Sequence, residues 1–116
     1  MKYLIALFLL FTTIPGISQR PGKSIDRAAF YRAMRLDKKD LVNQQLKVLE
    51  QSPAGDREAF EGALFMKKAG LGGNPVQKLD LFKQGHKELE TAIRKEPGNV
   101  ECRFLRLMIQ ENALGV

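Results

Sequence analysis

Beyond residue 24, apolar side chains recur every three or four positions, the period of an amphipathic helix. The first such segment is predicted from Ile25 to Arg35, with Ser24 as its N-cap and Asp26 in its first turn. Phe30, Ala33 and Met34 form its stripe. The second is predicted to start at Asp37, with Asp40 three residues on in a carboxylate version of the capping box. It carries Leu41, Val42, Leu46, Val48 and Leu49 to about Gln51, where Ser52-Pro53-Ala54-Gly55 stops it. Asp56 is expected to cap a third helix, lined by Phe60, Ala63, Leu64 and Phe65. Lys67 and Lys68 suit its C-terminal dipole, and Gly70 ends it. Asn74-Pro75 marks the next start, an N-cap with Pro at the first helical position. That fourth helix should run to about Lys95 with Leu79, Phe82, Leu89 and Ile93 on one face. Pro97-Gly98 ends it, and Asn99 caps a fifth from Val100 to about Ala113. No segment alternates with period two, so the expectation is all-α: about five helices in antiparallel hairpins.

The first residues follow a different pattern. Lys2 precedes an unbroken apolar run from Tyr3 to Phe11, and Pro15-Gly16 breaks it. Gly16 and Ser18 are small residues two apart, as signal peptidase requires, which places cleavage after Ser18. The run is shorter than the roughly 20 residues a membrane-spanning helix needs. Residues 1–18 are therefore read as a signal peptide, 19–23 as a flexible leader and 24–116 as one helical domain. The expected destination is the periplasm or the exterior, with no stable membrane span after cleavage. The chain has net charge +6, and losing Lys2 leaves one positive charge fewer. Both signs are interleaved along it, which argues for a solvated helical surface and against nucleic acid as partner. Cys102 is the only cysteine, so no disulfide can form within the chain.

The unit of helix, Pro, Gly, cap and helix occurs twice, with Pro53 and Pro97 44 residues apart and the small residues Ala59 and Cys102 at matching places. Gly85, Leu89, Ala92 and Pro97 stand at the spacing of small, aromatic, small and Pro positions. The second copy thus resembles the tetratricopeptide (TPR) family, although Leu89 holds the aromatic slot and the loop from Gly70 to Asn74 is longer than a TPR turn. The stretch from Leu81-Phe82-Lys-Gln-Gly85 through Arg103–Asn112 also resembles a family of small, uncharacterised exported proteins of Gram-negative bacteria. Together these resemblances imply a TPR-like fold and an envelope or secreted location, but no chemistry.

Candidate chemistry is sparse. Arg20-Pro-Gly22-Lys23-Ser24 has the end of a phosphate-binding loop without its first glycine or preceding strand. Gly70–Gly73 reads as a linker. His86 is the only histidine; Glu90 lies one turn on, and two ligands make no metal site. Cys102 is expected to pack as a small apolar residue, since free Cys is commonly buried. Arg103 and Arg106 share a face with Gln110, a candidate clamp for a carboxylate or other anionic group. The competing reading pairs these arginines with Glu90, Glu101 or Glu111, or with helix-end carbonyls. The fifth helix is apolar on two sides: Val100, Phe104, Leu107 and Met108 on one, Cys102, Leu105, Ile109 and Ala113 on the other. Phe104, Leu107 and Met108 are thus a candidate packing face for a partner protein or a second copy. The expectation is an interaction module of the cell envelope with no enzyme activity, cofactor or metal. The alternatives are a structural, self-associating envelope protein and, more remotely, a metal- or thiol-dependent enzyme.

Overall fold

The computed structural model describes residues 25–113. The segments expected to be signal peptide and leader, and the expected cap Ser24, lie outside them. The described residues form five α-helices and no strand: α1 (Arg27–Arg35), α2 (Lys39–Leu49), α3 (Ala54–Gly70), α4 (Pro75–Lys95) and α5 (Val100–Ala113).

Local chemistry sets the last two starts as expected. Asn74 accepts from the Val76 amide at 2.8 Å ahead of Pro75. Asn99 accepts from the Cys102 amide at 3.2 Å. The first three starts differ. Asp26, not Ser24, caps α1, accepting from the Ala29 amide at 3.1 Å. The α2 cap is Lys38, which makes no side-chain bond, because Asp37 turns instead to Lys67 of α3 at 2.7 Å. Pro53 takes the cap position of α3, so that helix begins at Ala54, two residues ahead of Asp56. The matched positions of the internal repeat therefore differ: Asn99 stands ahead of its helix, whereas Asp56 lies inside its own.

α3 and α4 form the tightest contact in the fold, an antiparallel hairpin. Glu58 meets Lys95 at one end, and Met66 lies against Gly85 further along. Gly62 and Gly85 face each other at the crossing. A methyl on Gly62 would sit 2.7 Å from the Gly85 carbonyl oxygen and 2.8 Å from the Leu89 nitrogen. One on Gly85 would strike the Gly62 carbonyl oxygen and lie 2.8 Å from the Met66 Cγ. Only glycine allows this approach. The connecting loop holds Gly72 and Gly73 at φ of 108° and 115°, the left-handed region that glycine occupies at little cost.

One core joins all five helices. Phe30 and Met34 of α1, Val42 and Leu49 of α2, Leu64 of α3, Leu89 of α4 and Leu105 of α5 are fully buried. Burying each large side chain contributes about 1.5–3 kcal/mol. Phe30 and Phe60 meet edge to face with centroids 4.7 Å apart. Ala59, Ala92 and Cys102, the small residues singled out above, meet at the junction of α3, α4 and α5.

α1 also reaches α5. Arg27 and Glu101 form an ion pair at 2.8 Å, and the Tyr31 hydroxyl donates to the same carboxylate at 2.9 Å. The Tyr31 ring leans on Phe104 with centroids 5.9 Å apart. In an open stack of hairpins each unit touches only its neighbours. Here the first helix closes onto the fifth.

Candidate functional site

α5 carries the residues that the sequence marks for binding, and its inner face fixes where they point. Cys102, Leu105 and Ile109 are buried against α3 and α4. That orientation turns Val100, Phe104 and Leu107 outward, at 78%, 47% and 49% exposure. Spacings of four and three place them in one stripe along the helix. Met108 does not share that exposure; it is half-buried and packs on the core.

The arginines are tied to the protein itself. Arg106 Nη1 donates to Glu90 of α4 at 2.9 and 3.2 Å. Arg103 Nε donates to the Pro97 carbonyl at 2.9 Å, closing the turn between α4 and α5. Gln110 is exposed beside them. The geometry is therefore the pairing alternative: a clamp formed by Arg103 and Arg106 would first have to release both contacts.

A second apolar surface lies where α4 begins. Val76, Leu79 and Phe82 stand at 68%, 53% and 40% exposure. Leu79 and Phe82 line a groove of about 800 Å³ with Met66, Ala69 and Leu71 below them and Ile109 of α5 at its side. Lys67, paired with Asp37, and Lys78 give it a charged lip. The sequence shows these apolar positions as a helical stripe, but nothing local says that this half of the stripe stays uncovered.

The titratable groups follow their contacts. The Arg27 guanidinium holds the Glu101 carboxyl below the usual carboxylate range against the opposing effect of burial, and the Tyr31 hydroxyl adds to the lowering. Burial, and then the Glu101 carboxylate, push the Tyr31 phenol well above its ordinary value. Lys67 holds the Asp37 carboxyl low by hydrogen bond and charge. Burial raises the Cys102 thiol, with Glu96 and Glu101 adding to the shift, so the thiol is held in its less nucleophilic, protonated form. His86 is exposed and stacks on Phe82, with centroids 6.3 Å apart and planes 6° from parallel. Its proposed neighbour Glu90 is engaged by Arg106.

Among the described residues, no group of three or more His, Cys, Asp and Glu side chains could hold a metal ion. No described helix is long and apolar enough to cross a membrane. One acidic pair escapes sequence reasoning: Glu61 of α3 and Glu88 of α4 are brought together across the glycine crossing, 27 positions apart in the chain. The chain matches no protein-family model, no curated protein and no solved structure.

Proposed function

We propose that the protein is an exported helical module of the cell envelope, cleaved after about Ser18, that acts by docking another protein. One observation carries this reading: the α5 stripe of Val100, Phe104 and Leu107 faces solvent along the helix while Cys102, Leu105 and Ile109 of the opposite face are buried. Large exposed apolar patches mark interaction surfaces more than they mark solvated ones. The groove beside Leu79 and Phe82 supports it further, since a helix or extended peptide with apolar anchors fits such a surface. The TPR-like reading belongs to the same proposal. Its support is the antiparallel α3–α4 pair, with Gly85, Leu89 and Ala92 buried at the hairpin contact and α4 ending just ahead of Pro97. In this reading recognition is mainly apolar, with Arg103 and Gln110 at the edge of the contact.

The test is a Val100→Asp, Leu107→Asp double variant. Both positions are exposed, and Phe104, which leans on Tyr31, is left in place. The expected result is an unchanged thermal midpoint with loss of the proteins that the unaltered chain captures from envelope extract. Identical captured proteins for both forms would overturn the reading. Sedimentation of the same two proteins separates the alternative: a dimer lost in the variant identifies the partner as a second copy. N-terminal sequencing of the exported product checks the cleavage site.

A further inference from the structure

The close approach of α3 and α4 fixes more than backbone. The position of a methyl on Gly62 would lie 3.1 Å from the Glu88 Cβ, so the Glu88 stem is held directly over α3. Glu61 adjoins Gly62, and Glu58 lies about one turn earlier. These three carboxylates open onto one shallow depression with Arg57 and Lys95. Both cations have contacts of their own. Lys95 is held by Glu58 at 3.1 Å, and Arg57 Nη1 donates to the Glu50 carbonyl at 3.3 Å. On its other side Glu61 faces α2 across a depression that also holds Asp40, Lys47 and Glu50, with Lys68 of α3. No residue of α1 or α5 lines either depression. One Glu88 oxygen, Oε1, is shut away from solvent and has no hydrogen-bond partner. Two ionised carboxylates can only accept, so they cannot bond to each other; once one is protonated, it can donate to the other.

We propose that Glu61 and Glu88 share a single proton as a latch across the α3–α4 crossing, and that losing this proton loosens the hairpin. The latch is independent of whether the protein docks a partner. Burial, then the hydrogen bond and charge of Glu61, and then the charge of Glu58 push the Glu88 carboxyl up to about 8, with Arg57 opposing. A carboxyl raised on folding stabilises the fold fully below its unfolded value near 4.3. That contribution declines as pH rises and is gone above about 8. Glycine at both crossing positions makes the device sensitive, because the helices are too close for the repelling groups to be buffered by intervening side chains.

Thermal unfolding of the purified protein from pH 6 to pH 9 tests the latch. The unaltered chain is expected to lose on the order of 5 °C in midpoint over that range. Glu88→Gln should abolish the fall, since its amide donates to Glu61 at every pH. His86→Gln should keep it, which separates the latch from the nearby imidazole. A flat profile for the unaltered chain, or a fall that persists in Glu88→Gln, overturns the proposal. Should the variant fail to fold, carbon-13 NMR of the Glu88 carboxyl in the unaltered chain decides. A midpoint near 8 supports the latch, and one in the ordinary carboxylate range removes it.

Discussion

From Gly85 to Ile93, α4 is wedged against its neighbours, with Gly85, Leu89, Ala92 and Ile93 buried. From Pro75 to Gln84 the same helix leaves Val76, Leu79 and Phe82 in solvent. Both halves obey one period, and both carry large apolar residues on it. The difference lies in what stands opposite. The later half meets α3 at its glycine and has α5 beside it, whereas the earlier half borders an open groove. A helical stripe therefore names a face without naming its cover, and tertiary context decides whether that face stabilises or recognises.

The sharpest way to break this contrast is Leu89→Ala. Leu89 is 1% exposed, so the variant should lose about 3 kcal/mol, measured by urea unfolding. Gly85→Ala comes next. A methyl there meets the Gly62 carbonyl, so overpacking outweighs the gain in helix propensity for a net loss of about 2 kcal/mol. A gain in stability would mean that the crossing is looser than the glycines require. Glu101→Gln touches neither half of α4 and should cost about 1 kcal/mol at neutral pH by weakening the ties to Arg27 and Tyr31. Its sign with pH is the reverse of the latch. A carboxyl lowered on folding stabilises above its unfolded value and loses that contribution as pH falls through the lowered value. The variant should therefore narrow its deficit in acid, read from midpoints between pH 7 and pH 3. Leu79→Ser with Phe82→Ser is the smallest effect, within about 0.5 kcal/mol for each position. A much larger loss would show that the groove half of α4 is part of the core after all.

The sequence made some of this legible and hid the rest for identifiable reasons. Asn74-Pro75 and Asn99 are local signals, and the helices they start lie where those signals put them. Asp37 reads equally well as a cap, but a lysine 30 positions away wins its side chain. Phe30, Met34, Leu64 and Leu105 are legible as core from periodicity alone. The candidate site was harder. Spacing along α5 puts Arg103, Arg106 and Gln110 on one face, but it cannot show that Glu90 competes for Arg106 from another helix 16 positions back. Spacing also groups Met108 with Phe104 and Leu107, whereas packing on the core divides them. The Glu61–Glu88 pair gives no local signal at all, because it exists only once two glycines meet.

The clasp between Arg27 and Glu101 adds a constraint in time. Its partners are 74 positions apart, so α1 cannot complete its contacts until nearly the whole domain has been made. Until α5 is in place, Tyr31 lacks both Phe104 and the Glu101 carboxylate. Closing α5 onto α1 thus ties the first described helix to the fifth, and one contact both pairs Arg27 and covers Tyr31.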